Sequence, residues 1–389
     1  MRKFKLLPFI LISSLSILSA NEDYLSQTKQ EILNYSYDKA NEDSNKLKND
    51  WINPITYQYI YSNTETYDTH KSSISISQPI FKSGGIYYAI KYANSVQNET
   101  ITDIDTQKSE LIKQTVNLLF QIKKIDVSIS KQKLLIKNAK LDIQRKKEQV
   151  LNGILDTSFL DNSILDANSK RNALIDLEYE RKSFINNLSI LTDKTYEELE
   201  LPKLTLNSND DYLNKNIYLQ KAKDEIKTSY WFKNMVRSNY LPTINLTADY
   251  SHYHDTDDQI NLNEETTNYG FNITIPLDIK SSNTIQSAKI EYLQNKSQLE
   301  SKELEEQVLF KNVQEKIFSL NEKIKIAKSD IQLYDSLITQ IKEQLDVGMK
   351  TQSDLDTMQN SGKIKKLEIE TLNVEKQIEL LEIYYRTQQ

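Results

Sequence analysis

One internal repeat constrains the fold of this chain more than any other feature. The segment KEQVLNG at 147–153 recurs 195 positions later as KEQLDVG at 342–348. Similarity at one fixed spacing indicates two copies of the same structural unit. We therefore predict a first repeat over residues 21–200 and a second over residues 201–389.

Both repeats carry the apolar periodicity of long helices. Between residues 313 and 345, apolar side chains recur at alternating steps of four and three, and residues 118–150 keep nearly the same pattern. This spacing is the seam of a left-handed coiled coil. We predict helices over 86–150 and 284–346, each on the order of 95 Å long at about 1.5 Å per residue.

Turn residues are scarce and lie at informative positions. The 389 residues include only 6 Gly and 6 Pro, too few for a sandwich, a propeller or a Gly-rich nucleotide fold. Gly153 and Gly348 lie at equivalent points, and further helical patterns follow them over 158–197 and 353–386. Because glycine adopts positive φ easily, we predict that each is the tip of a helical hairpin.

Four segments between the prolines alternate with a period of two residues. We predict strands at about 52–63, 71–80, 241–254 and 268–278, with a helix before each pair. One strand face is mainly Ser, Thr, Asn and Gln, and the other is aliphatic with Tyr. This pattern is typical of a membrane barrel, although a small soluble sheet packed on the helix bases is the alternative. Four strands leave open edges, so a barrel needs several chains.

The first twenty residues have the composition of a cleaved export signal. A basic start precedes the apolar run 6–18 and a small-residue exit at Ser19-Ala20. No later stretch reaches 18 apolar residues, so any membrane crossing must use strands. The formal net charge is −6, and loss of the basic signal makes it more negative. We therefore expect no nucleic-acid partner.

Motifs for catalysis and cofactor binding are absent from the sequence. It contains no Cys, which excludes disulfides and thiolate chemistry. It has no Walker loop, His-Glu-x-x-His, Gly-x-Ser-x-Gly or dinucleotide fingerprint. His252 and His254 have no obvious further metal ligands. We therefore expect no enzyme activity, cofactor or metal.

The doubled order of helix, two strands, long helix, glycine tip and helix resembles the TolC family of outer-membrane efflux proteins. The motif SQPIFKSGG at 77–85, its echo TIPLDIKSS at 274–282 and YLPTINL at 240–246 carry the likeness. The resemblance implies a mainly α fold with membrane β, in a homotrimer whose twelve strands form one outer-membrane barrel. It implies a periplasmic tunnel of helices below that barrel.

The resemblance also implies partners and a role. A periplasmic adaptor protein and an inner-membrane transporter would dock on the channel, and outer-membrane lipid would surround its barrel. The assembly would export drugs, metals or proteins, and the sequence leaves that choice open. A periplasmic adaptor is the first alternative function, but it would have one helical hairpin. A structural coiled-coil protein is the second, but it would not need the strands.

In this family, charged contacts near the hairpin tips close the periplasmic mouth. Asp354 matches a position that forms an acidic ring in the prototype, and Lys350 matches a basic latch residue. Phe159 stands where the family has the acidic latch partner, although Asp156 and Asp161 lie nearby. The gate candidates are Asp354, Lys350, Asp356, Asp156 and Asp161, and the candidate tips for adaptor docking are Gly153 and Gly348.

Overall fold

The computed structural model describes residues 24–63, 68–254 and 264–387. The predicted export signal lies outside these ranges. The helices are α1 (Gln27–Asn49), α2 (Gly85–Leu151), α3 (Thr157–Leu188), α4 (Asn209–Lys215), α5 (Ile217–Ser238), α6 (Ser281–Asp346) and α7 (Gln352–Tyr384). The strands are β1 (Thr56–Asn63), β2 (Asp68–Phe81), β3 (Thr243–Tyr253) and β4 (Glu265–Thr274). This mainly helical chain with four strands agrees with the predicted fold class.

Two helices differ from their predicted extents because local capping overrides the apolar period. The helix predicted over 158–197 ends at Leu188, and a capping box between Thr195 and Glu198 starts a short 3₁₀ turn. The helix predicted before the second pair of strands is divided at Asn216. The Asn216 side chain accepts hydrogen bonds from the backbone N–H groups of Tyr218 and Leu219, so a second helix begins there.

The strands form one antiparallel sheet in the order β1-β2-β3-β4. Paired residues share a face of the sheet. One row therefore joins Thr56, Ser75, Asp249 and Asn268 on the polar face. The next row joins Tyr57, Ile74 and Tyr250 on the apolar face. The register thus aligns the alternating polar and apolar residues of the separate strands, so that the sheet has one polar and one apolar face.

The turn from sheet to helix needs its two glycines for different reasons. Gly84 has a φ of +83° after Ser83 at +45°, a backbone region that glycine adopts without strain. At Gly85, a Cβ atom would lie 2.7 Å from the Ser238 hydroxyl oxygen. The first glycine permits the turn, and the second allows α2 to approach α5.

The helices and strands belong to two compact units. The first unit contains residues 24–32, 108–212 and 308–387, and the second contains 33–107 and 213–307. Each unit combines segments of both predicted repeats, and the division at residue 200 stays a prediction. In the first unit, Leu119, Ile122 and Leu188 form a buried cluster.

Buried polar pairs tie the helices of the second unit. The Thr102 hydroxyl donates to Asp224 at 3.1 Å, and the Asn216 amide donates to Glu306 at 2.9 Å. Glu306 is almost fully buried, so its carboxylate depends on such partners. No helix among the described residues has the length and hydropathy needed to span a membrane.

Candidate functional site

The tips of the two helical hairpins have the same backbone geometry. Gly153 follows α2 with a φ of +70°, and Gly348 follows α6 with a φ of +78°. At both tips the next residue donates back into the preceding helix, Ile154 to the carbonyl of Gln149 and Met349 to that of Gln344, each at 2.8 Å. Such αL endings satisfy carbonyl groups that a helix end otherwise leaves unpaired.

Apolar side chains surround both glycines without being buried. Four apolar side chains near the glycines are strongly exposed: Leu151, Ile154, Val347 and Met349. Isolated exposed apolar residues are ordinary, but each tip carries two of them, and Ile154 and Met349 lie at equivalent places in the two repeats. From the sequence, only the two glycines were predicted as docking positions. The repeat could have indicated Ile154 and Met349, because they are apolar residues at the 195-residue spacing, but Leu151 and Val347 have polar counterparts in the other repeat.

Two of the predicted gate carboxylates act as helix caps. Asp156 accepts a hydrogen bond from the Ser158 backbone N–H at 2.8 Å at the start of α3, and this bond lowers the pKa of Asp156. Asp354 and Thr351 form a reciprocal capping box at the start of α7. Hydrogen bonds from the Thr351 backbone and hydroxyl lower the pKa of Asp354, with smaller contributions from Lys350 and Arg145.

Asp354 also has a partner that the sequence analysis missed. Arg145 Nη1 on α2 lies 3.5 Å from Asp354 Oδ1 on α7, so the pair joins the two hairpins. Arg145 Nη2 contacts Asp142 Oδ1 at 2.7 Å, and Lys146 contacts Asp142 Oδ2 at 3.0 Å. The spacing of Asp142, Arg145 and Lys146 is typical of ion pairs along one helix face, but nothing in that spacing points to Asp354.

The network around Asp142 keeps this carboxylate charged. Burial acts to raise the pKa of Asp142, but hydrogen bonds from Arg145, Lys146 and Ser163 outweigh it, and the net pKa is lowered. The Ser163 hydroxyl donates to Asp142 at 2.9 Å and accepts from Lys146 at 2.6 Å. The end of α2 is therefore bound to α3 as well as to α7.

The remaining gate candidates lie near the tips but outside this network. Asp161 and Phe159 are exposed on α3, and Lys350 is exposed between α6 and α7. Within the described ranges, Lys350 forms no ion pair. Asp356 accepts a hydrogen bond from Gln352 at 2.8 Å on its own helix. The structure therefore joins Asp354 to Arg145, and the predicted latch role of Lys350 stays a prediction.

Farther from the tips, polar and close contacts hold α7 in place. The buried Asn360 amide donates to Asn138 on α2 at 2.8 Å, and Lys365 pairs with Asp330 on α6 at 3.1 Å. At Gly362, an added Cβ atom would lie 3.5 Å from Ile338 Cδ1 and 3.7 Å from Tyr334 Cβ. These are ordinary van der Waals distances, so an alanine would fit at this position and the packing of α7 on α6 does not require Gly362.

The histidines lie at the far end of the sheet, at its hairpin turns. Nε2 of His254 lies 2.7 Å from the Ser72 hydroxyl, and Nδ1 of His70 lies 2.7 Å from the Tyr59 hydroxyl. In the part of the chain that the structure describes, no three His, Cys, Asp or Glu side chains are grouped so that they could hold a metal ion.

Comparisons with known proteins find one family model and one shared fold. The family model for outer membrane efflux proteins matches residues 201–383. No curated protein matches the chain significantly. Among solved structures, the CmeC outer membrane channel of Campylobacter jejuni has a TM-score of 0.73 at 13% identity, covering 94% of this chain and 84% of that chain.

Two further channels have similar scores. VceC, an outer membrane protein of Vibrio cholerae, has a TM-score of 0.73 at 12% identity, and the match covers 94% of each chain. The open state of the Neisseria gonorrhoeae MtrE outer membrane channel has a TM-score of 0.69 at 12% identity, covering 94% of this chain and 86% of that chain. Residues 201–383 therefore match the outer membrane efflux protein family, and the chain as a whole has the fold of the TolC-like channels.

Proposed function

We propose that three copies of this chain form an outer-membrane channel through which substrates leave the periplasm. The observation that carries this proposal is the two-faced sheet. Its apolar face exposes Tyr57, Tyr269 and Phe271, with Tyr269 87% exposed. Its other face carries the row of Thr56, Ser75, Asp249 and Asn268. An apolar exterior and a polar interior suit a water-filled barrel in lipid.

The open edges of the sheet support assembly of several copies. Within the described chain, β1 pairs with β2 and β4 pairs with β3, so β1 and β4 each keep one unpaired edge. Unpaired N–H and C=O groups are costly in lipid, and pairing β1 of one copy with β4 of the next would satisfy them. Three copies would give twelve strands, an even number within the range of bacterial barrels.

Exposed apolar stripes on two helices support the same assembly. Helix α3 exposes Leu165, Ile175 and Tyr179. Helix α6 exposes Phe318, Ile326 and Leu333. Burying such stripes against a neighbouring copy would contribute about 25 cal/mol for each Å² removed from water. The helices would then surround a periplasmic tunnel.

The exposed apolar residues at the hairpin tips support docking of a periplasmic adaptor. Leu151 and Ile154 on one tip, and Val347 and Met349 on the other, offer exposed apolar contacts. An inner-membrane transporter would complete the assembly and select the cargo. The latch at these tips would be the Arg145–Asp354 pair, because it joins α2 to α7 directly.

Membrane fractionation and electrophysiology test the proposal. The protein is expected in the outer-membrane fraction, shortened by about twenty residues, and as a heat-dissociable trimer in mild detergent. The purified trimer is expected to produce discrete conductance steps in a planar bilayer. A water-soluble periplasmic monomer would overturn the proposal and favour an adaptor or a structural coiled coil.

A further inference from the structure

A continuous strip of aromatic and lysine side chains crosses three helices of the second unit. It consists of Tyr87 and Lys91 on α2, Tyr230, Trp231 and Lys233 on α5, and Tyr292 and Lys296 on α6. Trp231 meets the edge of Tyr87 at 6.0 Å and that of Tyr230 at 5.0 Å between ring centroids. Tyr230 in turn contacts Tyr292 at 5.8 Å. We call this set the aromatic–lysine strip.

The three lysines of the strip lie over its rings. Lys233 Nζ is 4.7 Å from the centre of Tyr230 and 4.4 Å from that of Tyr292. Lys91 lies 5.6 Å from Tyr87, and Lys296 lies 5.0 Å from Tyr292. Among the described residues, none of the three forms an ion pair with a carboxylate. By contrast, Lys302, further along α6, pairs with Glu305 at 3.0 Å.

The strip lies close to the sheet, and its side chains are partly exposed to solvent. Tyr87 is two residues from the start of α2, and Trp231 is seven residues from the end of α5, about 10 Å at the helical rise. Tyr87 is 54% exposed and Tyr230 is 40% exposed. Because the strip crosses three helices instead of following one, its shape suits a broad surface better than a single neighbouring helix.

We propose that the aromatic–lysine strip binds the headgroups of anionic phospholipids at the periplasmic surface of the membrane. This inference rests on the proposed outer-membrane function. Tyr and Trp combine an apolar ring with a polar atom, which favours the boundary between lipid and water. Lysines without carboxylate partners attract anionic headgroups at that depth. The strip would fix the height of each copy in the membrane.

Tryptophan fluorescence tests this inference. The chain has 2 Trp, so Trp51→Phe leaves Trp231 as the single reporter. The full-length protein is reconstituted in phosphatidylcholine vesicles containing phosphatidylglycerol, with either lipid brominated at the same mole fraction. Brominated phosphatidylglycerol is expected to quench Trp231 at least about twofold more strongly than brominated phosphatidylcholine. This difference is reachable because one lysine near an anionic surface raises the local lipid preference by roughly fivefold.

Charge variants separate lipid recognition from general cationic attraction. The triple variant K91Q/K233Q/K296Q is expected to lose the preference for phosphatidylglycerol. The control K316Q/K323Q/K328Q removes the same charge from α6 outside the strip and is expected to keep it. Equal quenching by both lipids would overturn headgroup selectivity. Quenching by aqueous iodide without quenching by either lipid would place the strip on the water-filled side and overturn the inference.

Insertion is measured first, so that two failures can be told apart. A protein that neither inserts into vesicles nor conducts ions contradicts the proposed function. A protein that inserts and conducts, but whose Trp231 fluorescence does not respond to brominated lipid, contradicts only the role of the strip. If a neighbouring copy covers the strip instead of lipid, Trp231 would be shielded from both brominated lipid and iodide. That result would also overturn the lipid assignment.

Discussion

Arg145 Nη1 lies 3.5 Å from Asp354 Oδ1, and this ion pair joins the first helical hairpin to the second. Arg145 also contacts Asp142 at 2.7 Å on its own helix. Asp354 is held by Thr351 in the capping box of α7. Both partners are therefore fixed locally, so separation of the hairpins would require the pair itself to break.

We predict that Arg145→Gln opens the reconstituted channel more often than the wild type. Exposed ion pairs contribute at most about 1 kcal/mol, so the ratio of open to closed states is expected to rise by up to roughly fivefold for each copy. Single-channel recording measures this ratio. Lys147→Gln removes the same charge two residues away and is expected to change little. An equal effect of both variants would show that net charge, and not the pair, controls opening.

The capping box gives a pH prediction whose sign follows from the lowered pKa of Asp354. Because the folded pKa lies below the ordinary value of 3.8, the stabilisation is fully present above about pH 4 and is lost as the pH falls through the folded pKa. Asp354 stays ionised from about pH 5 to about pH 7, so its titration is not expected to change the thermal stability in that range.

Removing the cap tests this assignment. Thr351→Ala is expected to destabilise the hairpin by about 1 kcal/mol at neutral pH and to raise the pKa of Asp354 towards its ordinary value. The measurement is the melting temperature as a function of pH. Ser353→Ala is a neighbouring control. Identical acid profiles for wild type and Thr351→Ala would contradict the proposed origin of the pKa shift.

Local signals made the helical hairpins predictable, whereas contacts between distant segments did not appear in the sequence. Gly153 and Gly348 could be identified as tips because positive φ is a property of single residues. Arg145 could not be assigned to Asp354, since the pairing depends on how two helices pack. Asn216 was overlooked because a side-chain cap interrupts a helix without changing the apolar period.

A third prediction concerns the glycine at the second tip. No atom lies within 4 Å of a Cβ added at Gly348, so Gly348→Ala would affect only the backbone. A φ of +78° costs a residue with a Cβ about 1–2 kcal/mol, and the melting temperature is expected to fall. Gly270→Ala, at a strand position where the nearest atom is 3.8 Å away, is expected to cost less. The reverse order would contradict this explanation.

The last prediction concerns Asp249, whose carboxylate lies on the polar face of the sheet. Its cross-strand partners Ser75 and Asn268 are uncharged, and Ser251 donates a hydrogen bond to it at 3.1 Å. Among the described residues, Asp249 forms no ion pair with a basic side chain. In a trimer, three copies would place three negative charges around the lumen and favour cations.

Asp249→Asn is therefore expected to reduce the cation preference of the channel. The measurement is the reversal potential across a bilayer in a KCl gradient, at low salt where screening is weak. Asn268→Asp adds a carboxylate to the neighbouring strand in the same row and is expected to increase the preference. Asp278→Asn, beyond the end of β4, removes the same charge outside the sheet and serves as the control. Equal shifts of the reversal potential in Asp249→Asn and Asp278→Asn would contradict this prediction. The position of the carboxylate on the polar face would then make no difference to ion selectivity.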